Sequence, residues 1–203
     1  SVSMPIVAAR ESYFEAGLDI LADLGYGGLK LAEVCSRLGV TSGSFYHYFT
    51  GWAAYTRELI SYWRQDRTVR IIDVIRAQPD PRKRIESIIE VALSLPHGAE
   101  AAIRSWSAVD PEVHAVQLEV DQQRFEITYE SAFQIVNDEA QALAYANLAT
   151  YLFLGYEQTT LPRELRMFEW MCNTMLDDLE AGRFAATHQR HGLRLQRAAA
   201  APG

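Results

Sequence analysis

Apolar positions recur with helical spacing along nearly the whole chain. Phe14, Leu18, Leu21 and Leu24 step by four and three, which predicts a first helix halted at Gly25, where a left-handed residue would end it. Leu31, Val34, Cys35 and Leu38 repeat the spacing over two turns before Gly39. Thr41 follows as a candidate N-cap, and Phe45 and Phe49 share with Val40 the inner face of a short third helix. Beyond Gly51 the helices lengthen. A fourth, opened by Thr50 as a candidate cap and lined by Tyr55, Leu59 and Tyr62, runs into the seventies and ends before Pro79-Asp80-Pro81. A fifth, marked by Ile85, Ile88, Ile89 and Ala92, closes at Pro96, and a short sixth covers 99–107. Pro111 opens a long seventh, where its missing N–H costs nothing. That helix carries two apolar stripes, Val113, Val116, Val120 and Ile127 on one side and Leu118, Phe125, Tyr129 and Phe133 on the other, so both sides are expected to be covered. The eighth, 139–158, and the ninth, 163–181, are apolar over more than half their circumference. No stretch alternates with period two. The class is all-α, with about nine helices.

Composition narrows the setting. With 203 residues, 49% of them apolar, the chain buries a sizeable core without staples. Cys35 and Cys172 lack Cys-x-x-Cys or Cys/His spacing and are expected as small core residues in a reduced cytoplasm. No run of about 18 apolar residues offers a membrane span, and no basic start with an apolar segment offers a leader, so a cytoplasmic protein is expected. Met4, behind Ser1, Val2 and Ser3, is a candidate native start. His97 and His114 have no ligand-spaced partner, and His188 and His191 fall in an Arg/Ala-rich tail, so no metal and no cofactor is expected. There is no Gly-x-Ser-x-Gly elbow, no phosphate-binding Gly-x-x-x-x-Gly-Lys and no His-Glu-x-x-His, and Gly25-Tyr26-Gly27-Gly28 follows a helix where a dinucleotide fingerprint needs a strand. An enzyme is not expected.

A short helix, a glycine turn and a second short helix with small hydroxyl residues at its start make a helix-turn-helix, whose second helix enters the major groove by its N-terminal end. Thr41, Ser42, Gly43 and Ser44 would let the backbone approach DNA, with Tyr46, His47 and Tyr48 reaching phosphates or base edges. The run Gly39-Val40-Thr41-Ser42-Gly43-Ser44-Phe45-Tyr46-His47-Tyr48-Phe49, preceded by a short helix and Gly25-Tyr26, resembles the DNA-binding domain of TetR-family transcriptional regulators over residues 10–60. The resemblance implies a DNA-binding domain at 1–51 and a ligand-binding and dimerisation domain at 52–203. The whole would be a homodimeric repressor released from a palindromic operator by a small molecule. Two positions depart from the family habit: its threonine at the start of helix two and its lysine at the start of helix four, both phosphate contacts, are here Lys30 and Trp52. Lys30 can still meet a phosphate; Trp52 is expected to pack. Arg57, Arg64 and Arg67 follow along the fourth helix.

Charge is the feature that resists this picture. Residues 1–51 hold three cations, Arg10, Lys30 and Arg37, against five carboxylates, a net of −2, inside a chain of net charge −7. A nucleic-acid binder normally shows a basic face. The alternative, a helical protein-interaction domain whose helix-turn-helix has lost DNA, therefore stays open. For the effector, Trp63, Trp106, Phe125 and Tyr129 are the candidate lining of an apolar or aromatic site, with Arg124 as polar anchor unless Asp121 or Glu157 holds it. Met167, Met171 and Met175 read as a packing row. The dimer surface is expected from Ala142, Tyr145, Ala149, Leu152, Phe153 and Tyr156 on the eighth helix with Leu165, Phe168, Cys172, Met175 and Leu179 on the ninth.

Overall fold

Residues 6–185 are described by a computed structural model of the chain; the histidines of the tail, its arginines after Arg183 and Ser1 to Ser3 lie outside them. Ten α-helices follow one another: α1 (Ile6–Leu24), α2 (Leu31–Leu38), α3 (Ser42–Tyr48), α4 (Trp52–Arg64), α5 (Arg70–Arg76), α6 (Pro81–Ser94), α7 (His97–Ser107), α8 (Pro111–Val136), α9 (Glu139–Gln158) and α10 (Leu165–Glu180). No strand occurs among the described residues. The count exceeds the expected nine because the fourth helix is interrupted at Gln65–Val69 by a π-helical turn and resumes as α5. One residue too many in the backbone spiral shifts the phase there, and Thr68 turns inward with only 1% of its surface exposed.

Most helix ends have the local cause that the sequence implied. Gly39 closes α2 in the left-handed region, φ 64° and ψ 35°, its N–H bonding back into the last turn. Gly25 also has positive φ, but with ψ −179° it sits in a region open only to glycine and turns the chain into a single 3-10 turn, Tyr26–Gly28. Asn137 ends α8 at φ 49°, and the Asp138 carboxylate accepts the Gln141 N–H at 3.0 Å to cap α9. Thr50 does not cap α4: the cap position falls on Gly51, with no side-chain hydrogen bond.

The chain divides into two compact units, one of residues up to 71 together with 95–122, the other of 72–94 together with residues from 123. In the first, α1 packs on α7, α2 and α4, and α2 on α3. Its core runs without interruption from Phe14, Ile20, Val34, Phe45 and Phe49 to Tyr55, Leu59, Trp63, Ile103, Val113 and Val120. In the second, α10 packs on α6 and α9 around Ile85, Ala132, Ala142, Tyr145, Leu176 and Leu179. The two stripes of α8 fare differently. Val113, Val120 and Ile127 are buried, whereas Leu118 and Phe133 remain exposed and Phe125 and Tyr129 half-buried, so the second side is not covered as expected. The methionine row likewise leaves Met167 exposed and Met171 and Met175 half-buried.

Candidate nucleic-acid interface

The turn between α2 and α3 is built to hold α3 by one face. Val40 N–H donates to the Cys35 carbonyl at 3.0 Å, and the Thr41 hydroxyl accepts the Ser44 N–H at 3.3 Å, the expected N-cap. Phe45 is fully buried and Phe49 nearly so. Around them Tyr13, Phe14, Trp52 and Tyr55 make a cluster of edge-to-face and tilted rings, with centroids 5.0 to 6.1 Å apart for the closest partners. Trp52 thus packs in this cluster, as expected. Tyr55 reaches across α1: its hydroxyl donates to the Tyr13 carbonyl at 2.6 Å in a buried setting, and burial pushes its pKa up.

With that face fixed, the other is presented outward. Thr41, Ser42, Gly43, Tyr46 and His47 are exposed, Tyr46 to 56%. Ser44 and Tyr48 are half-buried: the Tyr13 hydroxyl donates to Ser44 Oγ at 3.2 Å, and Tyr48 leans on Tyr13 with centroids 5.4 Å apart. Gly43 has no steric reason inside the chain, since a Cβ there would meet only Thr41 Oγ1 at 3.7 Å. Lys30 occupies the N-cap position of α2, extended and exposed, with no side-chain cap. The other two cations of this region are paired within the chain. Arg10 donates through Nη1 to the Tyr48 carbonyl at 2.7 Å, pairs with Glu58 through Nη2, and lies over the Phe49 ring at 4.6 Å. Arg37 bonds Asp23 at 2.6 Å and Glu33 at 3.0 Å.

The candidate effector residues fall into both units. In the first, Trp63 is 1% exposed and its indole N–H donates to Glu100 Oε1 at 3.0 Å; Glu100 is equally buried. Trp106 stacks on Tyr26, 6.4 Å between centroids. Asp121 is taken by Arg104 through two bonds of 2.8 and 2.9 Å, and by the Gln117 amide at 3.1 Å. In the second, the Arg124 guanidinium stands 5.8 Å from the Phe153 ring, and Tyr129 stacks on Phe133 at 6.1 Å. Glu100 was not among the sequence candidates, although it shares a face of α7 with Ala99, Ile103 and Trp106, a period that marks it as inward. No group of three or more metal-ligating side chains occurs among the described residues, and no described helix is long and apolar enough to cross a membrane.

Of the expected dimer residues, Tyr145 and Phe168 are 3% exposed and belong to the core of their own unit. Tyr156 stacks on Phe168 with centroids 4.1 Å apart. Ala149, Cys172 and Met175 pack on the same core, and burial raises the Cys172 thiol to about 11. Leu152 and Phe153 are half-buried. The large apolar side chains left outward are Leu143, Leu148 and Tyr151 on α9 and Leu165, Met167 and Trp170 on α10, between 39% and 66% exposed.

These features define an all-helical protein with an N-terminal helix-turn-helix and a larger helical remainder. Residues 14–53 match the family model for bacterial regulatory proteins of the tetR family. Solved structures share the fold over most of the chain. A protein described as a transcriptional regulator of Saccharomonospora viridis in complex with choline is 14% identical, with a TM-score of 0.68, over 84% of this chain and 96% of that one. A transcriptional regulator from Rhodococcus sp. Rha1 is 16% identical, TM-score 0.68, over 86% and 97%. The regulator FadR of Bacillus subtilis, in complex with stearoyl-CoA, is 14% identical, TM-score 0.61, over 85% and 98%. No curated protein matches in sequence. The family likeness thus lies in residues 14–53, and the likeness to the solved regulators is one of fold.

Proposed function

We propose that the protein is a ligand-responsive repressor in which residues 1–51 read DNA and residues 52–203 bind an effector and join two copies. The observation that carries this reading is α3: one face is locked by Phe45 and Phe49, while Thr41, Ser42, Gly43, Tyr46 and His47 stand free on the other. In a homodimer two such helices would read successive major grooves of a palindrome when about 34 to 36 Å apart. The dimer surface we assign is the outward stripe of Leu148, Tyr151, Met167 and Trp170, because the side chains on the opposite stripe already fill the core of the unit.

The effector is a small, mostly apolar or aromatic molecule. Its proposed contacts are taken unit by unit: Trp63 and Trp106 in the first, or Phe125, Tyr129 and Arg124 in the second, where the guanidinium suits a carboxylate. The relatives bound to choline and to stearoyl-CoA support a helical remainder that takes small ligands, of unlike chemistry in each case. Release follows from differential affinity: an effector that prefers the non-binding conformation by about 1 to 3 kcal/mol weakens operator binding some 5- to 150-fold. The deficit of positive charge in residues 1–51 favours the competing reading, an interaction domain that no longer meets DNA. Selection of bound fragments from random DNA with the purified full-length chain, followed by fluorescence anisotropy, separates the two. Enrichment of a palindrome supports the repressor; failure to enrich any sequence at low salt supports the interaction domain.

A further inference from the structure

Residues 1–51 offer three cations in all: Arg10, Lys30 and Arg37. Arg10 is held by the Tyr48 carbonyl, Glu58 and the Phe49 ring. Arg37 is held by Asp23 and Glu33, whose bonds also raise its pKa. To recruit either guanidinium for a phosphate, its carboxylate partner would have to be given up, and for Arg10 the C-terminal end of α3 would lose its bond. The next cations, Arg57 and Arg64 on α4, pair with Glu112 at 3.2 Å and Glu119 at 3.0 Å. Lys30 is exposed and enters no ion pair among the described residues.

Resting on the DNA-binding reading, we infer that each subunit neutralises phosphate through Lys30 alone, and that the remaining grip on DNA is neutral, from the hydroxyls and backbone N–H groups around Thr41 and Ser42 and from Tyr46. Counterion release then fixes a number. With one neutralised phosphate per subunit, the slope of log K against log salt for a dimer is about −2. Between 50 and 200 mM salt the affinity falls about tenfold, against about a thousandfold or more for proteins that neutralise six to ten phosphates. The same scarcity leaves non-cognate DNA with almost no attraction to a chain of net charge −7, so discrimination between operator and bulk DNA rests on base-edge and shape contacts.

The test is the salt slope for the full-length protein on its selected operator, measured at pH 8 for the parent, Lys30→Gln and His47→Gln. The expected result is a parent slope between 0 and about −3, a Lys30→Gln slope close to zero, and a His47→Gln slope like that of the parent. A parent slope steeper than about −4, or a slope that Lys30→Gln leaves unchanged, overturns the inference while the repressor reading stands. A slope that His47→Gln flattens overturns it too, by assigning the charge to the imidazole. Absence of sequence-selective binding at any salt overturns the DNA reading and the inference with it.

Discussion

Gly17 on α1 lies under Tyr55 and Leu59 of α4, and this close approach sets the distance between the two helices. A Cβ at position 17 would meet Tyr55 Oη at 2.4 Å and the Leu59 methyls at 3.0 and 3.2 Å. Alanine is favoured over glycine in a helix by about 0.5 to 1 kcal/mol. The overpacking works against it and costs about 1 to 3 kcal/mol, because the hydroxyl in the way is bonded to the Tyr13 carbonyl and cannot swing aside without giving up that bond. Gly17→Ala is expected to lower stability by about 1 to 2 kcal/mol net. Tyr55→Phe alone removes one buried hydrogen bond and costs about 1 kcal/mol. In the double variant the oxygen that obstructs the methyl is gone and the bond is already lost. Its destabilisation should therefore fall short of the sum of the single changes by about 0.5 to 1.5 kcal/mol, with the Leu59 contacts preventing full relief. Urea unfolding with unchanged denaturant slopes measures all four corners of the cycle. Additivity within about 0.3 kcal/mol would refute the claim that Tyr55 is what Gly17 accommodates.

Gly43→Ala is expected to raise stability by about 0.5 to 1 kcal/mol, since the methyl finds open space on a helix, while weakening operator binding; a variant that binds as tightly as the parent would show that the backbone at 43 stays clear of DNA. Tyr62 is pushed up to about 12 by burial and by its bond to Glu15, and burial raises Tyr55 and Tyr145 as well. The folded state therefore keeps protons that the unfolded chain releases near pH 10, so this contribution to stability is intact below about pH 10 and is lost as the pH rises through about 12. Urea midpoints that do not fall across that range would contradict the burial of these phenols. Trp170→Asp combined with Tyr151→Asp should give a folded monomer by light scattering and circular dichroism, whereas Phe168→Asp should unfold the chain by burying an unpaired charge; a double variant that remains dimeric places the interface elsewhere.

The order of helices was legible because most ends carry residues that act alone. Gly39, Pro79, Pro96 and Pro111 stop or start a helix through their own backbone chemistry, whatever surrounds them. The interruption at Gln65–Val69 left no such mark, because a π turn is an extra residue in a helix and no residue type is needed to make it. In the candidate interface, the locked face of α3 followed from the spacing of Phe45 and Phe49. The engagement of Arg10 with Glu58 and the Tyr48 carbonyl joins positions 48 and 38 residues apart, beyond the reach of any local pattern. On α9 and α10 the difficulty was of another kind. A helix apolar over more than half its circumference has no sharply preferred direction, so periodicity nominated Tyr145 and Phe168 and passed over Tyr151 and Trp170, and only packing tells the inward stripe from the outward one.

Continuity within the first unit bears on how an effector could act. Trp63 on α4 is bonded to Glu100 on α7, Tyr55 on α4 to the Tyr13 carbonyl on α1, and Arg10 on α1 to the Tyr48 carbonyl at the end of α3, so three bonds lead from Glu100, the partner of a candidate effector residue, through α4 and α1 to the recognition helix. Glu15 on α1 is held again from α4 by Tyr62 and from the π turn by Arg67. Contiguity of this sort does not make a switch; a ligand moves the equilibrium only by its preference for one arrangement over the other. The magnitudes nevertheless match. A coupling of about 1 to 3 kcal/mol is the size of one or two buried hydrogen bonds, each worth about 0.5 to 1.5 kcal/mol. An effector that competes for Glu100 and frees the Trp63 indole would therefore carry enough free energy to release the operator without unfolding any helix, provided the freed bond is one that the DNA-binding arrangement retains.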